Sequence, residues 1–314
     1  MHAERRNAIA GLLLCAGFMA GTHPAPLFIE WPQFLVLTGA AVAVPAGMQL
    51  CQHHPAWKHL EWRIAGQLTR WHLPAVLALM LQMLFPAWGG LLALPWLAFT
   101  VAMALQGLIL WNSAAGFPGL RIALTGWIQL AAGGAWAAAD ALQLQPLGFD
   151  GLIVRLTAAH FHFAGFCLPV MAGLSIQAGS GCWTRATGTG AALGVMLVAA
   201  GITTTKLTDN VIVESILASA YALVVLAFSV CQCHLAVRLR SVLLGISSVA
   251  LFTGMLLALA YALRPFLPLP WLHIPRMWAL HGSLQALGFV GIGFLAWMRI
   301  AGETGAGQKL PRSG

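Results

Sequence analysis

Long apolar runs separated by short polar connections dominate the pattern along this chain. A helix needs about 20 consecutive apolar residues to cross about 30 Å of hydrocarbon. Breaking the runs at charged residues and at Pro-rich or Gly-rich punctuation predicts ten helices. They cover residues 7–22, 31–51, 72–88, 90–111, 120–142, 152–177, 186–204, 211–232, 241–263 and 274–298. The pattern therefore predicts an all-α fold, a polytopic transmembrane helix bundle of about ten helices.

The composition excludes an ordinary water-soluble protein. Of the 314 residues, 60% are hydrophobic and 8% are charged, and the mean hydropathy is +0.83. Soluble domains carry about 25% charged residues. We expect one transmembrane domain over residues 1–314, with short cytoplasmic tails at 1–6 and 300–314, embedded in the lipid bilayer. The basic, apolar start predicts an uncleaved first span rather than a secretory signal.

The net charge of +8 does not indicate nucleic acid, because the basic residues are scattered between the apolar runs. They indicate topology instead, since Lys and Arg favour cytoplasmic connections. With both termini inside, twelve of the sixteen basic residues are cytoplasmic, and the other four are Arg155, Lys206, Arg264 and Arg276. This bias predicts a multi-pass protein of the inner membrane with both termini in the cytoplasm.

The sixth predicted helix contains polar residues at membrane depth, in the stretch RLTAAHFHFAGF at 155–166. His160 and His162 lie about 12 to 15 Å from its outer end at 1.5 Å per residue. Ionisable residues at that depth are costly and indicate function by default. Two residues apart, the histidines point to nearly opposite sides, so they serve different partners unless the helix is distorted at Ala164–Gly165. Arg155 shares a face with His162.

Two further segments place polar residues in the outer half of the bilayer. In the tenth helix, Trp278, His281 and Gln285 form one stripe, with Arg276 near its outer end. Asp209 and Glu214 lie at the start of the eighth helix. We expect these segments to form one cavity that opens outward. The predicted catalytic residues are His160, His162, His281, Glu214 and Arg155, and the predicted binding residues are Trp278, Gln285, Asp209 and Arg276.

Each of these residues also has a purely structural interpretation. Histidines in polytopic proteins often form hydrogen bonds between helices, and acidic residues stabilise the first turn of a helix. Arginines near helix ends extend to the interface, and tryptophans form interfacial belts. On the cytoplasmic side, CQHH at 51–54 and CQCH at 231–234 are an alternative set of soft-metal ligands.

The segments LTAAHFHFAGFCLPVMAG (156–173) and HGSLQALGF (281–289) resemble the YndJ-like family of bacterial polytopic membrane proteins. The resemblance implies a helix-bundle fold and directs attention to His160, His162 and His281, but it implies no reaction. The H-x-H pair is also loosely similar to the haem-ligand helix of haem-copper oxidases, where the two histidines serve haems on opposite faces. That similarity implies a b-type haem held by His281 and one histidine of the pair.

Three functions remain open. The first is a membrane-embedded enzyme or redox protein that acts on a lipophilic small molecule, with His160, His162 and His281 binding a metal ion or haem or acting as general acid and base. The second is a transporter or proton-coupled permease, whose proton relay or substrate site the same residues would form. The third is a structural subunit of a membrane complex, in which the histidines only pack. The sequence does not indicate an oligomeric state.

Overall fold

The computed structural model describes residues 3–22, 31–179, 181–267 and 269–305. All regular secondary structure in the described part of the chain is helical, with no β-strand. The ten helices are α1 (Ala3–Thr22), α2 (Trp31–Gln52), α3 (Arg63–Leu84), α4 (Gly89–Ser113), α5 (Pro118–Ala141), α6 (Gly151–Ala178), α7 (Cys182–Thr208), α8 (Val211–Arg238), α9 (Val242–Ala262) and α10 (Ile274–Gly302).

These ten helices match the ten predicted ones in order, which confirms the polytopic helical fold. All of them except α1 and α3 are long and apolar enough to span a membrane. For α4, this span includes the short turn that precedes the helix. The largest difference in bounds is at α3, which begins at Arg63 rather than at residue 72. The charges of Arg63 and Arg70 indicate a connection between helices. Both residues lie in α3 instead, and arginine is a good helix former.

Local sequence explains where several helices begin. Asp150 precedes α6 and accepts a hydrogen bond from the Ile153 amide at 3.0 Å. Asn210 and Ser241 cap α8 and α9 in the same way. Such side chains satisfy amides that have no partner within the helix.

Three of the helices contain π-helical segments. These lie at Gly39–Ala43 in α2, at Phe161–Cys167 in α6, and at Trp278–Gly282 and Leu284–Gly291 in α10. A π segment inserts one extra residue per turn and often marks a functional position. The segment in α6 includes Ala164 and Gly165, the position where the sequence left a distortion of this helix open.

The chain divides into two compact units, and the first comprises Met1–Gly116 and Leu124–Cys167. Its helices approach closely at small residues. A Cβ placed on Gly134 of α5 would run into the Thr100 side chain of α4, and one on Gly11 of α1 would run into the Ala41 backbone of α2. At the start of α1, the buried Glu4 accepts a hydrogen bond from Thr69 Oγ1 at 3.0 Å and joins α1 to α3.

The second unit comprises Phe117–Ala123 and Leu168–Gly314. Consecutive helices in it pack as antiparallel pairs. The Tyr221 hydroxyl of α8 donates to Ala191 O of α7, and Ser215 Oγ of α8 donates to Ala262 O at the end of α9. Ser247 Oγ of α9 donates to Phe289 O of α10 at 2.8 Å. Side-chain bonds to backbone carbonyls thus connect the apolar helices of this unit.

The close approach at Gly134 predicts an asymmetric response to leucine substitution. Gly134→Leu would push α4 and α5 apart in the first unit, at a cost of about 1 to 3 kcal/mol for overpacking. Gly17→Leu is the matched control, because nothing lies within 4 Å of a Cβ placed on Gly17. Thermal unfolding of the purified protein in detergent should show a lower Tm for Gly134→Leu alone. Equal Tm values for the two variants would contradict this packing.

Candidate functional site

His162 is completely buried in the first unit, and both of its ring nitrogens have partners. Nδ1 lies 2.8 Å from Ala158 O, and Nε2 accepts the indole N–H of Trp96 at 3.1 Å. A carbonyl only accepts, so Nδ1 carries the proton and the ring is neutral. The His162 and Trp96 rings are nearly parallel, at 14°. His162 therefore joins α6 to α4.

A second buried histidine, His72 on α3, lies beside the same tryptophan. Its Nε2 donates to Ala40 O in the π segment of α2 at 2.9 Å, and its ring meets Trp96 and Phe99 edge to face. Its Nδ1 has no partner among the residues described. His72 was not predicted as a site residue, because the pattern of apolar residues starts the third helix at this position, whereas the helix begins nine residues earlier, at Arg63.

The other predicted residues of α6 have different surroundings. His160 is exposed, whereas His162 is buried, so the two histidines of the pair point to different environments as the helical geometry predicts. Arg155 Nε lies 3.2 Å from both carboxylate oxygens of Asp140 on α5. This ion pair is mostly buried and joins α5 to α6. Asp140 lies 15 positions before Arg155, and helix periodicity gave no signal for this pairing.

In the second unit, the polar stripe of α10 faces α9. His281 Nδ1 donates to Gly254 O at 2.8 Å, and Gln285 Nε2 reaches Leu251 O at 3.4 Å. A carbonyl only accepts, so Nδ1 of His281 carries a proton. Trp278 is half-buried at the start of the same stripe. His281 and Gln285 thus hold α10 against α9.

Glu214 pairs with an arginine rather than with a histidine. Arg264, at the end of α9, donates to Glu214 Oε1 at 2.7 Å and to Tyr261 O at 3.1 Å. Its guanidinium carbon also lies 4.3 Å from the centre of the Tyr261 ring, a cation–π geometry. From the sequence alone, the place of Arg264 near a helix end favours an interfacial residue. Its spacing of three residues from Tyr261 was the one sequence feature that indicated a contact between these two side chains.

An open cleft of about 520 Å³ adjoins this ion pair. Polar groups of Tyr261, Arg264 and His273 line it. Its remaining walls are apolar, contributed by Leu269, Pro270, Leu272 and Ile274.

The two remaining predicted binding residues lie outside the lining of this cleft. Arg276 is exposed and donates to Trp271 O at 3.0 Å, which ties the connection before α10 to the first turn of that helix. Asp209 is exposed, with a φ of 55°, and ends α7.

His162 is not available as a ligand of a metal ion or haem in this arrangement. Both nitrogens of His162 are used within the protein. Across the described ranges, no three His, Cys, Asp or Glu side chains are grouped so that they could hold a metal ion, which includes the residues of CQHH and CQCH. No step through a metal or haem follows from this arrangement.

One histidine outside the spans has a shifted pKa. His54 lies in the connection between α2 and α3, where its ring stacks on the buried Trp57 at 4.3 Å and its Nδ1 accepts the Ala56 amide. Burial disfavours the charged ring and lowers the pKa of His54 from 6.5 to about 4.

Fold and site together define the class, a multi-pass helical membrane protein with polar clusters inside its helix packing. The sequence model of the YndJ-like protein family matches residues 34–289, so the chain belongs to the YndJ-like family. It is 29% identical over 300 residues to the "Uncharacterized membrane protein YndJ" of Bacillus subtilis (strain 168). That alignment covers 93% of this chain but 53% of the relative, so the chain spans about half of its length. No solved structure matches the chain significantly.

The contrast between the two histidines of α6 predicts different costs of replacement. His162→Leu removes the acceptor of the Trp96 indole inside the protein and should lower the free energy of unfolding by about 1 to 3 kcal/mol. His160→Leu changes an exposed ring and should lower stability less than His162→Leu. Thermal unfolding in detergent, followed by tryptophan fluorescence, compares them. An equal loss for both variants would contradict the assigned geometry.

Acidification should destabilise the connection that holds His54. The folded pKa is below the unfolded one, so the stabilisation by the neutral ring is complete above about pH 6.5 and is lost as the pH falls toward 4. The Tm of His54→Gln should therefore fall less than that of the unchanged protein between pH 7.5 and 5. His59→Gln, at an exposed position of the same connection, is the control and should keep the original pH dependence.

Proposed function

We propose that this membrane protein binds a lipophilic molecule with an anionic headgroup, in the cleft of the second unit. The observation that carries the proposal is the position of Arg264, which lines a cleft with apolar walls while Glu214 holds it at 2.7 Å. The cleft lies at the ends of α9 and α10 that the Lys and Arg distribution predicts to be outer. A ligand would enter it from the outer leaflet.

Arg264 retains the capacity to bind an anion. A guanidinium has five N–H donors, and the hydrogen bonds to Tyr261 O and Glu214 Oε1 use two of them. The side chain is 31% exposed, so the remaining donors are accessible. Charge-assisted hydrogen bonds from arginine to phosphate or carboxylate are among the stronger polar contacts in proteins. His273 adds a second donor in the lining.

The rest of the cleft suits an apolar chain. Leucine, proline and isoleucine side chains form its walls, and Trp271 beside it is 44% exposed. Tryptophan favours the membrane interface, where its ring meets both headgroups and hydrocarbon. A molecule with an anionic head and an apolar body matches both parts of the cleft. The ligand class is therefore an anionic amphiphile such as an acidic lipid.

Glu214 positions Arg264 in this proposal and does not act as a general base. Its carboxylate lies in the first turn of α8 and is 12% exposed, and its recorded partner is the guanidinium. A carboxylate held in this way partly neutralises the site, so its removal should strengthen the attraction for an anion. The roles of Glu214 and Arg264 are thus distinguishable by opposite effects on binding.

Native mass spectrometry of the purified protein, titrated with phosphatidylglycerol or phosphatidylcholine, tests the proposal. Arg264→Gln should weaken phosphatidylglycerol binding about tenfold, as expected for the loss of charge-assisted hydrogen bonds. Glu214→Gln should retain or strengthen it. Phosphatidylcholine adducts should be weaker than those of phosphatidylglycerol and should respond less to both changes.

Lys206→Gln is the matched control, since it removes one exposed positive charge from the last turn of α7 without touching the cleft. The double variant Arg264→Gln with Glu214→Gln leaves no unpaired buried charge and should bind as weakly as Arg264→Gln. Equal loss of binding in Lys206→Gln and Arg264→Gln would refute a specific site and leave only general attraction between charges.

A further inference from the structure

Five buried polar atoms of the second unit have no hydrogen-bond partner within the described ranges, and one of them, Ser219 Oγ, lies nearer the start of α8. The other four are Ser175 Oγ on α6, Gln232 Nε2 and Oε1 on α8, and Trp297 Nε1 on α10. Ser175 and Gln232 are completely buried, and Trp297 is 4% exposed. An unpaired buried polar group costs about 1 to 3 kcal/mol, so native proteins satisfy nearly all of them, often with ordered water.

The helix contacts indicate that these side chains face one another. Because α7, α8, α9 and α10 pack as antiparallel pairs, and α6 leads directly into α7, the even-numbered helices run in the same direction. A Cβ placed on Gly179, the residue that follows α6, lies 3.5 Å from Leu235 Cδ1 of α8. One turn earlier on each helix are Ser175 and Gln232, since residues three or four apart share a face.

A second contact relates Ser175 to α10. A Cβ placed on Gly293 lies 3.3 Å from Met171 Sδ of α6. One turn later on each helix are Ser175 and Trp297. At 100° per residue, Ser175 lies between the direction of Met171, which faces α10, and that of Gly179, which faces α8. Ser175 thus points into the angle between these two helices.

The four atoms define the chemistry of a ligand. The indole and amide N–H groups donate, the amide oxygen accepts, and the serine hydroxyl does both. None of the three side chains carries a charge, and an isolated charge is costly to bury. A small neutral molecule that both donates and accepts hydrogen bonds matches the set, and a buried water typically makes about three such bonds. Ser175 lies only about 4.5 Å from the end of α6 at 1.5 Å per residue.

We propose that Ser175, Gln232 and Trp297 form an internal binding site for a small uncharged hydrogen-bonding molecule, and that water occupies it. The site lies in the half of the second unit that is predicted to face the cytoplasm, and it is independent of the outer cleft. Water held there supplies each unpaired atom with a partner and makes this part of the helix packing polar.

Hydroxyl-radical footprinting by X-ray radiolysis tests the site, because bound water generates radicals next to the side chains it contacts. Trp297 should be oxidised several times faster than Trp96 in the protein reconstituted in lipid nanodiscs. Trp96 is the matched control, since it is also buried but donates its indole N–H to His162. Oxidation of Trp297 as slow as that of Trp96 would overturn the proposal.

A pair of glutamine variants separates bound water from bonding within the protein. Gln232→Leu should slow the oxidation of Trp297 and leave the Tm unchanged or higher, because it replaces an amide that has no protein partner. Gln106→Leu should lower the Tm, since Gln106 Oε1 accepts the Ile64 amide at 2.8 Å inside the first unit. An equal fall in Tm for both variants would mean that the Gln232 amide bonds to the protein, which contradicts the site.

Ser175→Ala is a second test of the water site, and it removes only one hydroxyl group. Removing one hydroxyl from the site should slow the oxidation of Trp297 while Trp96 is unaffected. Unchanged oxidation of Trp297 in both Ser175→Ala and Gln232→Leu would refute the assignment of water to these residues.

Discussion

Hydrogen bonds made by histidine rings inside the helix packing are the interaction on which much of this structure depends. His72 donates to Ala40, His162 to Ala158 and His281 to Gly254, each over 2.8 to 2.9 Å. Within hydrocarbon a polar group needs a partner inside the protein, and each of these bonds sets which ring nitrogen carries the proton. In a neutral ring, the opposite nitrogen is a hydrogen-bond acceptor. In His162 it accepts from Trp96.

The same requirement explains the ion pairs at the helix ends. Arg155 meets Asp140 in the first unit, and Arg264 meets Glu214 in the second. A buried charge without a partner is far more costly than a paired one, so the acids that the sequence places near helix ends are used to neutralise arginines. The second pair borders an open cleft. This cleft directs the search for a ligand to the second unit.

Much of the fold could be predicted from the sequence, because apolar length alone determines which segments can cross a bilayer. All ten predicted helices are present, and the divergence of His160 from His162 follows from helical geometry. The candidate site was less predictable. Whether His162 is a ligand or a packing group depends on Trp96, which lies 66 positions earlier in the chain, and helix periodicity carries no information about which helices become neighbours.

The sequence by itself thus determined the class of protein, the number of helices and the polar residues that must lie inside them, since these depend on local composition and on the thickness of the bilayer. Only the tertiary structure decided the partners: Glu214 with Arg264 rather than a histidine, and His281 with a carbonyl of α9. The physical reason is that hydrogen bonds and ion pairs act over about 3 Å, a distance set by the packing of helices that are remote in sequence.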